Sequence, residues 1–318
     1  MSGDSFKTRL FPIALFAGLI LAGWGHHALE RLSAPPPWPA EPRRIISLAP
    51  SVTETLYALG LGPQVVGVTQ FCWYPPEAKT KPIVAGFSDV NYEAVVRQRP
   101  DLTVLPRDKV ENRLDLERLG LSVMTLDTRS LAGLMEAINV VGRSTGHMAE
   151  AAHILDGMEK SLARARARAA GRPQPKILFS VMHSYEGLGY ITEINAVGRD
   201  GFFSEMIEIA GGRNVYQGAL PFPRLSREAV IFLDPEVIID IIPANENLEA
   251  VRRDWLSLSM VSAIRNNRLF FLTDEADTVP GPRFPQTLEK LSRAFHPPAS
   301  DAESGASRTN QRGSDVEN

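Results

Sequence analysis

The 318-residue sequence predicts an α/β protein of two similar lobes, each with a central parallel sheet, joined by one long helix. Three observations predict it. The first is a repeat. Asn91-Tyr92-Glu93-Ala94-Val95-Val96 runs into Pro100-Asp101-Leu102-Thr103-Val104-Leu105, and Ser226-Arg227-Glu228-Ala229-Val230-Ile231 runs into Pro235-Glu236-Val237-Ile238-Ile239. Each copy offers a capping residue, Glu at the second helical position, one or two helical turns, a proline stop and a strand. An echo precedes each copy: Thr53-Glu54-Thr55-Leu56 leading to Gly60, and Ser204-Glu205-Met206-Ile207 leading to Gly211-Gly212. The second observation is the alternation of short apolar strands with helices, the pattern of parallel sheets covered on both faces. The third is an unbroken run of helix formers over residues 147–170. At 1.5 Å per residue it is about 35 Å long, enough to cross from one lobe to the other.

The N-terminal lobe, residues 43–146, opens with an apolar strand at 44–48 that Pro50-Ser51 breaks. A helix over 52–59 is stopped by Gly60, and strand 65–68 runs into an aromatic, proline-rich loop at 71–76. Helix 90–98, strand 102–105, helix 114–119, strand 123–126 and helix 131–143 complete the lobe. The linking helix occupies 147–171 and ends at Gly171-Arg172-Pro173. The C-terminal lobe, 172–297, repeats the alternation with strand 177–181, helix 202–209, the Glu228 helix, strand 237–241, a helix from Val251, strand 269–272 and a last helix at 284–295. A helix packed on both lobes resists bending, so only small opening motions are expected.

The ends read differently. Lys7 and Arg9 precede an apolar stretch at 10–24, the pattern of an export signal. It is short of the roughly 20 residues that a membrane span needs. Gly25-His26-His27-Ala28 is a poor cleavage site, so residues 1–28 read as a signal peptide or an N-terminal membrane anchor. No cysteine follows for lipid attachment. Residues 29–42 form a Pro-rich linker whose Ala34-Pro35-Pro36-Pro37-Trp38-Pro39 is a stiff spacer. Residues 298–318 are polar, lack hydrophobic periodicity and are expected to be a disordered tail.

Composition narrows the function. With 44% hydrophobic and 22% charged residues the chain can build full cores. A net charge of −3 and no basic block exclude a nucleic-acid partner. Arg164, Arg166 and Arg168 alternate with alanine and read as a solvated helix surface. Cys72 is the only cysteine, so no intrachain disulfide forms, and lobes of this size do without one. There is no Gly-x-Ser-x-Gly elbow, phosphate-binding glycine loop, zinc-ligand pair at helical spacing or Ser/His/Asp set, so the chain does not read as an enzyme.

Ligands of open α/β sheets bind outside the carboxyl ends of the strands. Aromatics are only 8% of the chain, yet they gather in those loops. Phe71, Trp73, Tyr74 and Phe87 stand on the first lobe, and His183, Tyr190, Phe222 and Asp274 on the second. Aromatic faces with a few polar groups suit a flat, wide ligand. Of six histidines, His26 and His27 lie in the signal, His296 at the end, and His147 and His153 on the linking helix. Only His183 falls in a cleft loop, which is too few for a bare zinc or manganese site, though His183 or Cys72 could ligate a chelated metal. Arg107, Lys109 and Arg224 are cations near these loops, and Arg283 reads as structural.

The segments Ile46-Ser47-Leu48-Ala49-Pro50-Ser51-Val52-Thr53-Glu54, Tyr74-Pro75-Pro76, Pro100-Asp101-Leu102, Pro223-Arg224-Leu225-Ser226-Arg227-Glu228 and Gly281-Pro282-Arg283 together resemble the helical-backbone (class III) periplasmic substrate-binding proteins of ABC importers. Within that family the vitamin B12-binding branch is the nearest, and the resemblance covers residues 43–297. It implies two Rossmann-like lobes with the ligand between them and a periplasmic location. It also implies no cofactor of the protein's own, with cobalamin or another metal chelate, a ferric siderophore or haem, as transported ligand. The implied partner is an ABC permease dimer with its ATPase subunits, met by a monomer. Glu93 and Glu228 match the family's acids that dock into arginine pockets, one on each permease subunit. A carboxylate at a helix start is held by the positive helix end and pairs bidentately with arginine. Phe222 stands where the B12-binding branch has tryptophan. Glu54 and Glu205 read as capping or solvated residues. A reading of another class is a membrane-tethered sensor or scaffold.

Overall fold

The computed structural model describes residues 39, 41–86, 89–183, 189–242 and 246–297. The N-terminal segment, the C-terminal tail, Phe87 and the side chain of His183 lie outside the described residues.

The first sheet comprises β1 (Ile45–Ser47), β2 (Val65–Thr69), β3 (Ile83–Ala85), β4 (Leu102–Pro106) and β5 (Val123–Leu126) in the order β3-β2-β1-β4-β5. All four pairings are parallel. β1 is buried along its whole length, as a central strand covered on both faces must be. The covering helices are α1 (Pro50–Ala58), α2 (Tyr92–Arg97), α3 (Val110–Arg118) and α4 (Leu131–Ser144). α1 starts two residues before the expected Val52. Pro50 sits at its first helical position, where a missing N–H costs nothing because that group has no intrahelical partner.

The linking helix α5 (Met148–Ala169) has 22 residues. It packs on α4 and on the final helix α10 (Phe284–Phe295), so it touches elements of both lobes. Arg168 is not simply solvated, as its alternation with alanine predicted. Its Nη1 donates to Glu289 Oε1 on α10 at 3.0 Å.

The second sheet holds β6 (Lys176–His183), β7 (Glu193–Ala196), β8 (Arg213–Asn214), β9 (Arg224–Ser226), β10 (Val237–Ile241) and β11 (Leu269–Leu272). Its order is β11-β10-β6-β7-β9, with β8 also paired to β6. The expectation of a parallel sheet is corrected here, because β7 runs antiparallel to both β6 and β9. Ile194 and Ala196 are buried while Glu193 and Asn195 are half-buried. That period of two marks a half-covered strand, but four residues among turn-forming neighbours carry too little pattern to reveal it. The helices of this lobe are α6 (Phe202–Ile209), α7 (Arg227–Leu233), α8 (Leu248–Leu256), α9 (Ser262–Arg265) and α10.

The repeat has a structural cause. Asp101, after the first Pro, accepts the backbone N–H groups of Arg43 and Arg44 at 2.8 and 2.9 Å, just before β1. Glu236, after the second Pro, accepts that of Lys176 at 2.8 Å, at the start of β6. Each acid closes the open end of the neighbouring strand. β8 is the counterpart of β2: both follow a Gly-ended helix and pair in parallel with the lobe's first strand. In the second lobe this strand is two residues long, against five in β2.

Candidate functional site

A cavity of about 590 Å³ opens at the carboxyl ends of the first sheet, within the range of roughly 300–1,000 Å³ for ligand pockets. Leu48, Ala49 and Pro50 follow β1, Thr69, Phe71, Trp73 and Tyr74 end or follow β2, and Asp108 and Lys109 follow β4. The strand order reverses its direction of winding at β1, the topological switch point where α/β sheets bind ligands. The second lobe contributes Phe222 ahead of β9, and Glu275, Thr278, Val279, Pro280 and Arg283 between β11 and α10.

Four of the expected residues therefore come together. Trp73 is 48% exposed, its indole N–H donating to the Gln70 carbonyl at 2.9 Å, and the Phe71 ring is tilted against it at 6.2 Å. Tyr74 is half-exposed, with the Arg283 guanidinium 3.6 Å from its ring centre, a cation–π distance. Phe222 is 55% exposed. The carbonyls of the flanking Pro221 and Pro223 accept from Gly198 and Ala196 at 2.7 and 2.9 Å, and this holds the ring out. Position 198 needs glycine because a Cβ there would strike the Leu220 carbonyl.

Tyr190 and Asp274 are not among the lining residues. Asp274 instead caps the Glu275–Asp277 turn by accepting from Ala276 N–H at 2.9 Å, and it lies 3.8 Å from Lys290. Cys72 is buried, its sulfur meeting the Thr53 and Thr69 hydroxyls at 3.0 and 3.2 Å, so it packs the loop and does not face the cleft. Among the described residues no group of three or more His, Cys, Asp or Glu is placed to hold a metal ion.

Sequence reasoning missed the floor of the cleft. Glu54 is buried, and Arg283 donates to it from Nε at 3.0 Å and from Nη2 at 2.6 Å. Burial raises the Glu54 pKa above its ordinary 4.5, and the hydrogen bonds and charge of Arg283 pull against that rise. The echo at Glu205 and the Gly281-Pro282-Arg283 turn marked both partners, but nothing in the chain indicated that residues 229 positions apart would meet.

The repeated glutamates occupy equivalent places. Asn91 and Ser226 cap α2 and α7 by accepting from Ala94 and Ala229 N–H. Glu93 and Glu228 follow at the second helical position, both exposed. Glu93 pairs with its own Arg97 at 2.6 Å. Its own backbone N–H, then the Ser226 hydroxyl, hold the Glu228 carboxyl below its usual 4.5.

Two α/β lobes, one connecting helix and a cleft at the strand ends define a substrate-binding protein of the ABC-importer type. The chain belongs to the family described as Periplasmic binding protein, which it matches over residues 45–276. It is 28% identical over 264 residues to the ABC transporter substrate-binding lipoprotein YvrC of Bacillus subtilis, covering 81% of each chain. It is 30% identical over 273 residues to a cobalamin-binding protein of Halobacterium salinarum, covering 81% of this chain and 70% of that one. Among solved structures, the periplasmic heme-binding protein RhuT of Roseiflexus sp. RS-1 superposes with a TM-score of 0.67 at 28% identity, over 80% of this chain and 98% of that one.

Proposed function

We propose that the protein captures cobalamin in this cleft and delivers it, in the periplasm, to the permease dimer of an ABC importer with its ATPase subunits. The observation that carries the reading is the convergence of Phe71, Trp73, Tyr74 and Phe222, from both lobes, on one cavity. Flat apolar walls of this kind suit the faces of a corrin, and a relative named as cobalamin-binding, 30% identical over 273 residues, supports the choice. Glu93 and Glu228 serve as the docking acids. They are exposed at the same position of equivalent helices, so two like permease subunits can each read one of them. The protein acts as a monomer without a cofactor of its own, held at the membrane or released according to the fate of residues 10–24.

A second reading takes haem or a ferric siderophore as cargo, and the heme-binding neighbour favours its haem form. Tryptophan-fluorescence and visible-absorbance titrations with cobalamin, haem and ferric siderophores decide between them. Submicromolar cobalamin binding is expected. Tight haem or siderophore binding without it overturns the assignment.

A further inference from the structure

The two echoed helix glutamates both reach the opposite lobe. Glu205 on α6 accepts the backbone N–H of Leu131, at the start of α4, at 2.8 Å, which is a strut between lobes. Glu54 on α1 grips Arg283 at the start of α10, and this second link faces the cavity. Both residues line the cavity, with side chains only 4% and 14% exposed.

The guanidinium is engaged on three sides. Its Nε–Nη2 edge holds the Glu54 carboxylate, its flat face covers the Tyr74 ring at 3.6 Å, and Nη1 stands 3.9 Å from Asp274. A cargo resting on Tyr74 meets an aromatic ring backed by a neutralised arginine, not an open cationic fork. The described charges of the cavity wall are Glu54, Asp108 and Glu275 against Lys109 and Arg283, a net −1. Between the apolar walls of a cleft such charges act more strongly than in open water.

We infer that Glu54 is a specificity-determining positioning residue: by pairing with Arg283 it withholds that cation from the cargo, so the cleft selects neutral or cationic chelates over polyanionic ones. The inference rests on the reading of the cleft as a chelate site and deepens it. Polyanionic chelates need arginine forks free to bind them, and here the one buried beside the aromatic wall is already bound within the protein.

The test titrates three flat or bulky probes of different charge: cyanocobalamin without net charge, haemin with two propionates, and a ferric tris-catecholate of charge −3. Glu54→Gln keeps the shape of the side chain and uncovers one positive charge. It should move the ratio of tris-catecholate to cyanocobalamin affinity about tenfold toward the trianion. Glu54→Gln with Arg283→Gln removes both charges and should return the ratio to within about twofold of the wild type. A purely structural role would weaken all probes alike. The wild type gives a reading that does not depend on a variant folding: added salt should strengthen trianion binding by screening repulsion and leave cyanocobalamin unmoved.

An unchanged ratio in folded Glu54→Gln, or trianion binding that weakens with salt, overturns the filter while the chelate reading stands. A wild type that binds none of the three probes removes that reading and the filter with it.

Discussion

The strand trios β5-β4-β1 and β11-β10-β6 are built alike, all parallel, each with an acid after a proline closing the end of its first strand. Beyond the trios the lobes diverge. The first adds two parallel strands and places Phe71, Trp73 and Tyr74 in one loop after β2. The second reduces the equivalent strand to β8 and lays the antiparallel β7 and β9 alongside, so its cleft aromatic comes from the loop ahead of β9. The cores differ as well. At the level of Leu105 on β4, the second lobe buries Asp240 on β10, whose Oδ2 accepts the Trp255 indole N–H at 2.7 Å. Duplication preserved what the backbone needs, while the side chains around the cleft were free to specialise.

The largest expected effect tests whether the two rims are equivalent. Glu93→Arg with Glu228→Arg should lower affinity for the purified permease by about a hundredfold or more, since each change sets like charges together, with cargo affinity unmoved. Of the single changes, Glu228→Arg should cost more, because Glu93 already shares its charge with Arg97. Equal losses would erase that asymmetry. Because its own backbone N–H and the Ser226 hydroxyl lower the Glu228 pKa from its ordinary value, docking through Glu228 should outlast docking through an ordinary glutamate as the pH falls.

A core comparison comes next. Trp255→Phe removes the indole donor from the buried Asp240 carboxylate and should destabilise the protein by about 2 kcal/mol, a drop of roughly 3–4 °C in Tm for a chain of this size. Scanning calorimetry reads it. An unchanged Tm would mean that this hydrogen bond adds nothing to the stability of the second lobe.

For cargo, Phe222→Ala should weaken binding about tenfold. Trp73→Ala should do less, because Phe71 and Tyr74 remain on that wall. Fluorescence or absorbance titration measures both, and the reverse order would place the main contact in the first lobe.

The smallest effect concerns Asp127, after β5. Hydrogen bonds from the Arg129 guanidinium, against some burial, bring its pKa from 3.8 to about 2. The folded state therefore binds this proton less readily than the unfolded chain. The contribution is fully present above pH 3.8 and fades as pH falls toward 2. Exposure of Arg129 limits it to about 1 kcal/mol. Asp127→Asn should remove that portion of the acid dependence in urea titrations. The matching residue after β11 is the uncharged Thr273, so its substitution by Ala should leave the acid limb unchanged.

Much of the fold was legible. Strands β10 and β11 and helices α6 and α10 fall where apolar runs and stop signals put them, because caps, Gly ends and prolines act within a few residues. β3, β7, β8 and β9 were not legible. They are two to four residues long and are strands only because a neighbour pairs with them. In the site, Phe71, Trp73, Tyr74 and Phe222 were readable from loop position and proline flanks. Tyr190 and Asp274 were chosen by the same rule and are not among the residues that line the cavity, because adjacency to a strand end does not fix the direction of a side chain.

The sequence by itself determined the repeat, the helix caps, the linking helix and the exposed position of both rim acids, since each depends on local geometry and solvent exposure. Tertiary structure alone decided the antiparallel insertion and the cleft floor, where Glu54 and Arg283 join across 229 positions. Such contacts are fixed by packing two whole lobes together, and no short stretch of chain carries that information.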